Sequence, residues 1–460
     1  MESVTLLVAF VGSVLVFSLA PVYGLIVYLV SMAWYPSYIT IPLGTIDFNV
    51  GRVIIVALFI SLFLQTDLPR KFRIITLDKV VIAYFASTVL AGAVTAPALM
   101  GFLVNRAGAF FDAALPYFAV RMIIRDRQQY LKLLKALLVI AGPLALLGLY
   151  QTLTGNNPVG FLLKYHAWKG ISLTREYVPE NRLGFFRANV TFDVTIMFGL
   201  FFAIFGPVCA GLLRNVGANT RVWAFGLFLT GVGVFASMSS GPLLALLLAI
   251  GFLACYRYRQ YWKTAVGVVI VMCLVVEIVS NRHFYNVVDR FTFDASTAWY
   301  RSRLMEVALS ENGMAGHWLT GYGFEDPGWG ARINMTETTD MVNHYLLVLS
   351  RYGLVGFIPF MVLIVTAWRR LFKGFWGLKH DSDRWLVWCV AGSLFGLFLA
   401  FFTVSLFGPP TTFFFVLMGF CGVMNSVVAQ RGTLVAVVDR DAAKRIPARV
   451  ISRDRRMPFG

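Results

Sequence analysis

Residues 190–213 read VTFDVTIMFGLFFAIFGPVCAGLL, with Asp193 the one charged side chain among them. A helix crosses the hydrocarbon core of a bilayer with roughly 20 mostly apolar residues, so this run is long enough to span. It is bounded by Phe185-Phe186-Arg187-Ala188-Asn189 on one side and by Arg214 on the other. Working outward, runs of similar character recur at 53–67, 79–103, 107–124, 134–153, 222–238, 241–256, 264–280, 345–367, 386–407 and 412–429. Residues 4–35 are also apolar, too long for one straight span and too short for two full spans and a loop, with Pro21 in the middle. They read as one kinked or broken helix. The fold class is therefore all-α, a polytopic membrane helix bundle of about twelve transmembrane helices. A mean hydropathy of +0.73 and 58% hydrophobic residues in a 460-residue chain argue for lipid rather than water as the solvent.

The net charge of +17 does not point to nucleic acid, because Lys and Arg fall in short clusters at the ends of apolar runs, with no aromatic-interleaved groove. Short cytoplasmic loops hold the excess of Lys and Arg. Arg70, Lys71 and Arg73 mark one such loop, and Arg125, Arg127, Lys132 and Lys135 the next. Arg214 with Arg221, Arg257 with Arg259 and Lys263, and Arg369 with Arg370, Lys373 and Lys379 continue the alternation. This places 36–52, 104–106, 154–190, 239–240, 281–341 and 408–411 outside, and both termini in the cytoplasm. Residues 1–430 then form the transmembrane domain, and 431–460 a basic cytoplasmic tail in contact with solvent or lipid headgroups. The five cysteines lie in or beside apolar runs without CxxC or His/Cys spacing, so neither a disulfide framework nor a metal site is expected.

The two long outer segments go against the positive-inside pattern. Residues 154–190 carry Lys164, Lys169, Arg175, Arg182 and Arg187 against Glu176 and Glu180, an excess that suits an anionic ligand. Arg187 stands at the membrane edge, where a guanidinium can grip phosphate with two parallel hydrogen bonds. A snorkelling interfacial arginine is the alternative. In the second segment, Trp299-Tyr300-Arg301-Ser302-Arg303-Leu304-Met305-Glu306 sets Arg301 and Arg303 near the start of a short helix. These two suit a pyrophosphate, or they form ordinary ion pairs with Glu306 or Asp294. Asp193 and Glu277 sit at membrane depth, where a charge needs a partner or a wet cavity. Asp193 is expected to orient Arg187, or to cap the helix that follows.

Further along come Leu319-Thr320-Gly321-Tyr322-Gly323-Phe324 and Asn343-His344-Tyr345-Leu346-Leu347-Val348-Leu349-Ser350-Arg351-Tyr352-Gly353-Leu354-Val355-Gly356. Together with Arg187 and Arg301 this order resembles the family of O-antigen ligases and polysaccharide polymerases, over residues 180–365. The family pattern is a G-x-G turn, a loop and a His-Asn-x-x-x-Leu element followed by G-x-x-G. The resemblance implies a GT-C-like architecture in the bacterial inner membrane. It implies glycosyl transfer on the periplasmic face, from an undecaprenyl-pyrophosphate-linked glycan to a glycan or lipid A core acceptor, with no cofactor and no metal. Arg187 and Arg301 would neutralise the leaving pyrophosphate, with Arg303 as helper and Arg182, Asn343 and Asp340 as substrate-binding residues. Two departures are present. The family's histidine before Asn343 is Val342, and the serine-rich turn Ser237-Met238-Ser239-Ser240-Gly241 has Ser240 where relatives have arginine. His344 is then the candidate base, since an imidazole titrates near neutrality, and Asp340 is the other; an interfacial hydrogen-bonding role for His344 is the alternative.

The leading expectation is a polymerase of O-antigen or exopolysaccharide, with an O-antigen ligase second and a transporter or flippase of lipid-linked sugars third. A transporter would hold its essential charges at mid-membrane with repeat symmetry. Membrane lipid is a partner on any reading, and a regulator of chain length is compatible with the first. Gly160→Cys and Thr320→Cys, each in a cysteine-free background, are expected to react with a membrane-impermeant thiol reagent added outside intact cells. Labelling only after the membrane is broken would overturn the topology.

Overall fold

The computed structural model describes residues 2–43, 46–165, 180–215, 219–279, 295–333 and 338–444, and side chains within most of these. Lys169, Arg175 and Asp294, and the Glu277 side chain, lie outside what is described. In chain order the helices are α1 (Glu2–Ser18), α2 (Pro21–Trp34), α3 (Val50–Gln65), α4 (Thr76–Thr95), α5 (Leu99–Ala109), α6 (Leu115–Ile123), α7 (Arg127–Thr154) and α8 (Thr195–Cys209). They continue as α9 (Thr220–Ala236), α10 (Ser240–Ala254), α11 (Trp262–Val279), α12 (Ala295–Leu309), α13 (Trp329–Arg332), α14 (His344–Phe372), α15 (Asp381–Ala400) and α16 (Pro409–Lys444). Among the described residues, strands occur in two short antiparallel hairpins. One pairs β1 (Thr40–Leu43) with β2 (Ile46–Asn49), the other β3 (Asn181–Arg182) with β4 (Phe185–Phe186). The chain is an all-α polytopic membrane protein. Seven described helices are long and apolar enough to cross a bilayer, and α1, α2, α3 and α9 are shorter apolar ones.

The first apolar run departs from the expected single kinked helix. Thr5 Oγ1 hydrogen-bonds Tyr35 Oη at 2.7 Å, which brings the start of α1 beside the end of α2. Gly12 lies against Ile54 and Val16 against Ser61, so α1 runs parallel to α3. Gly24 on Leu58 and Met32 on Gly51 make α2 antiparallel to it. The break falls before Pro21, which opens α2 at a position where its missing N–H is harmless. Two short antiparallel helices result, and the first residues lie at the end of the bundle opposite the Arg70–Arg73 connection. A turn of two apolar residues, Leu19 and Ala20, leaves no polar mark in the sequence. The expected connection at 104–106 is likewise displaced. Helix α4 stops at Thr95 because Pro97 pushes Ala96 to extended backbone, and α5 continues through a π-helical turn, Phe110–Ala114, into α6. Arg106 is thus a helix residue.

Helix α8 is central, with 89% of its span buried, whereas α4 and α10 are 39% buried and show the rest of their surface to lipid. Phenylalanines fill the space between α8 and α16: Phe201 and Phe205 pack on Phe413 with ring centroids 5.1 and 5.4 Å apart. Helices α10 and α15 approach so closely that a Cβ on Gly396 would stand 2.2 Å from the Ala245 carbonyl oxygen. Small residues allow such contact where lipid supplies no hydrophobic force between helices. Ion pairs gather at the end of the bundle that carries the basic connections: Arg121 with Asp78 at 2.9 Å, Arg214 with Asp381 at 2.7 Å, and Arg127 with Asp383.

At the opposite end, residues 295–333 build a small core of their own, in which Tyr300, Leu304, Ala308, Met314 and Trp329 pack on Leu346 and Leu349 of α14. The G-x-G turn docks on a break in that helix. Gly353 has φ +54 and ψ −158 inside α14, so the helix stops and restarts there. Tyr322 N–H donates to Ser350 O at 2.6 Å, and Leu354 N–H to Trp318 O at 2.8 Å. A Cβ on Gly353 would sit 2.3 Å from Leu319 O, in a backbone region that is nearly closed to other residues. Gly353→Ala should therefore destabilise by more than the roughly 1–3 kcal/mol of such strain alone. Thermal unfolding in detergent should show a clear fall in Tm, with Gly377→Ala, which meets open space, unchanged.

Candidate functional site

The β3–β4 hairpin ends in a stretch, 187–194, that enters the bundle before α8 and has no helical hydrogen bonding to rely on. Its polar backbone is met by Gln151 near the end of α7. Gln151 Oε1 accepts from Asn189 N–H at 3.2 Å and from Val190 N–H at 3.0 Å, and its Nε2 donates to Asn189 Oδ1 at 2.9 Å. Asn157 also donates to Asn189 Oδ1, at 3.1 Å, and Ala188 N–H donates to Ala236 O at 2.9 Å. Val190 has φ +48, which is costly for a β-branched residue and persists only where the surroundings hold it.

This anchoring aims Arg187 at the turn between α9 and α10. Its guanidinium donates to Ser239 Oγ at 3.1 Å and to the Glu180 carboxylate. Ser239 passes its own hydrogen to Ser237 O at 2.9 Å, which leaves the hydroxyl oxygen free to accept from Arg187. Arg182 donates to Met238 O at 3.3 Å in the same turn. The Arg187 side chain is 13% exposed, and its Nε is buried with no hydrogen-bond partner among the described residues. Burial and the like charge of Arg182 pull its pKa down and Glu180 pulls it up; burial is the largest effect. The acid on Arg187 is thus Glu180. Asp193 is exposed, and its charge acts on Tyr38; α8 begins two residues later on Val194 without a side-chain cap.

A second group forms where α12 meets the start of α14. Arg301 is 7% exposed and lies within electrostatic reach of Asp340. Tyr300 Oη clamps the Asp340 backbone, accepting from its N–H and donating to its carbonyl, each at 3.0 Å. Desolvation raises the Asp340 carboxyl above its ordinary pKa and Arg301 opposes the rise, while the residue keeps an exposed side. Asn343 is the N-cap of α14, accepting from Leu346 N–H at 3.1 Å, and its Nδ2 reaches Met305 Sδ at 3.3 Å. His344 is buried beneath Phe360 and Phe401, and its Nδ1 accepts from Leu406 N–H at 3.2 Å. Arg303 points away from both groups, exposed and paired with Glu306 one turn on. Among the described residues, no cluster of three His, Cys, Asp or Glu could hold a metal ion.

Sequence reasoning did not single out the piece that joins the two groups. The connection 401–408 between α15 and α16 is mostly buried. On one side Val404 packs on Gly241, where a Cβ would come within 3.2 Å of it, two residues from Ser239. On the other, Phe401 O accepts from His344 N–H at 2.8 Å, Leu406 N–H is held by His344, and Ser405 Oγ donates to Met341 O. Buried Thr403 and Ser405 in an otherwise apolar stretch were the available signal, as Gln151 was inside the apolar run 134–153.

Residues 225–361 match the O-antigen ligase family. This O-antigen ligase segment is under a third of the chain, yet it holds the serine turn, Arg301, Arg303, Asp340, Asn343, His344 and both glycine elements. Arg182 and Arg187 precede it and join it through Ser239 and Met238. No curated protein matches the chain. The O-antigen ligase match supports the family of O-antigen ligases and polymerases, and with it a glycosyltransferase-type membrane protein acting in polysaccharide or lipopolysaccharide synthesis.

The Gln151→Leu variant keeps the side chain's bulk and strands two buried N–H donors, at about 1–3 kcal/mol each. A substantial fall in Tm is expected. Ser239→Ala, which removes one of the two partners of Arg187 and leaves Glu180 in place, should lower it less.

Proposed function

We propose that the chain transfers a glycan from a lipid-linked pyrophosphate donor to an acceptor sugar hydroxyl on the periplasmic side of a bacterial inner membrane, as a polymerase of O-antigen or exopolysaccharide. The observation that carries this reading is Arg187. It is a guanidinium largely removed from water, its Nε unused, held by Ser239 and Glu180 at the end of the bundle where the matched segment brings Arg301 and Asp340. A pyrophosphate suits two such groups. In the proposed reaction the acceptor oxygen attacks the anomeric carbon, and the bond from that carbon to the pyrophosphate oxygen breaks. The lipid pyrophosphate leaves with the electron pair. Arg187 and Arg301 stabilise the charge that grows on it, which is often the largest catalytic effect; Arg182 extends the positive surface.

The acceptor proton needs a base. His344 has given its Nδ1 lone pair to Leu406 N–H, so in the neutral ring the other nitrogen carries the hydrogen. Asp340, with an exposed carboxyl close to Arg301, is the better-supported base, and Asn343 and His344 serve to fix the start of α14. A ligase reading, with lipid A core as acceptor, is favoured by the description of the matched family and shares donor and residues.

Purified protein in detergent given a lipid-pyrophosphate oligosaccharide alone is expected to lengthen it. Product formed only when lipid A core is added would identify a ligase, and no transfer in either case would overturn the enzyme reading. Arg187→Ala and Arg301→Ala should each abolish product while the protein remains folded. Asp340→Asn should lower kcat by about 10²–10⁴-fold, the usual share of a general base, and His344→Gln should act mainly on Tm. Full activity of Asp340→Asn would refute its role.

A further inference from the structure

Arg106 of α5 and Arg351 of α14 are not used by the reading above, yet they converge. Their guanidinium carbons lie 5.3 and 5.2 Å from the centroid of the same ring, Phe324, just after the G-x-G turn. Arg106 also stands 5.3 Å from the Tyr352 ring and 5.8 Å from Phe102. The two charges are close enough to act on one another. Neither makes an ion pair with a described residue. Arg106 donates to Asn105 Oδ1 at 2.7 Å, and its Nε is buried without a partner. Glu325, the adjacent acid, is exposed and forms no ion pair among the described residues. The charge of Arg351 also falls on His344, which offers no negative charge in return.

An arginine withdrawn from water is expensive unless it is paired, and two together add their repulsion. Contact with aromatic faces returns only about 0.5–2 kcal/mol apiece. Arg121, Arg127 and Arg214 meet this cost with acids, Asp78, Asp383 and Asp381, and Arg125 and Arg370 with backbone carbonyls. Here, among the described residues, the chain supplies no acid partner. Phe324 itself is 43% exposed, so the pair opens to the surroundings. Two planar forks sharing an aromatic wall are suited to a tetrahedral oxyanion, which each can grip bidentately.

We infer that Arg106 and Arg351 form a binding site for a phosphate ester, separate from the Arg187 and Arg301 groups. The anion could come with a lipid headgroup or as a free pyrophosphate, and the experiment distinguishes them. The full-length protein in neutral detergent is examined by native mass spectrometry with dioleoyl phosphatidic acid, with phosphatidylcholine as the neutral comparison. Tm is followed in parallel with sodium pyrophosphate. Both are done in the wild-type and Arg187→Gln chains, so that a failure of the catalytic assignment does not affect the outcome.

Retention of phosphatidic acid over phosphatidylcholine is expected in both chains. Arg106→Gln and Arg351→Gln should each weaken it about tenfold or more, the loss of one charged hydrogen-bonding group, while Arg369→Gln on the far part of α14 leaves it intact. Stabilisation by pyrophosphate without lipid retention, present in the Arg187→Gln chain and lost in Arg106→Gln and Arg351→Gln, would support the site and identify its anion as water-soluble; stabilisation that survives in those two variants would overturn it. No retention and no stabilisation would overturn the inference, as would equal binding by the glutamine variants. Unliganded Tm checks folding. Should Arg351→Gln fail to fold, Arg351→Lys keeps the charge without the fork, and undiminished binding by it would equally overturn the site.

Discussion

Gln151 accepts hydrogen bonds from two successive backbone amides, Asn189 and Val190, and donates to the Asn189 side chain. A stretch with no helix of its own has to satisfy its peptide groups inside the bundle, because lipid offers them nothing. One carboxamide does this for the turn that precedes α8. It also holds Val190 at a positive φ. The path of 187–194, and so the direction in which Arg187 leaves the backbone, depends on this contact more than on any property of the arginine. Ser239 and Glu180 then fix where the guanidinium ends.

The second group is positioned by a different device. Residues 295–333 carry their own small core, and this unit is fastened at two points: the Tyr300 clamp on Asp340, just before α14, and the G-x-G turn seated on the break at Gly353 within it. Backbone meets backbone at the second point, which explains why glycine stands on both sides of it. Arg301 is carried into place by this docking, whereas Arg303, two residues further along α12, turns outward to Glu306.

Much of this was legible in the sequence. Apolar runs of spanning length gave the all-α bundle, and the ordered set Arg301, Gly321, Gly323, Asn343, Gly353 marked the segment that matches the O-antigen ligase family. What escaped was whatever lacked a compositional mark. The Leu19-Ala20 turn is apolar, so a helical hairpin read as one helix. Pro97 ended α4 earlier than the run of hydrophobicity suggested, which moved Arg106 from a loop into α5. Asp193 was near enough in sequence to be paired with Arg187, but it is exposed, and Glu180, seven residues before Arg187 and directly across the hairpin from it, meets the guanidinium. His344 was marked by residue type alone, and the contact its Nδ1 makes with Leu406 N–H had no signal in the sequence.

The connection 401–408 reaches Gly241 with one side and Met341 and His344 with the other. Its place in the chain has a temporal meaning. A ribosome makes both arginine groups and every helix up to α15 before this connector exists, so a nascent chain threaded into the membrane holds the two halves without the piece that sets their spacing. The spacing of the two groups is therefore set last, when the final pair of helices closes and 401–408 takes its place between Gly241 and His344.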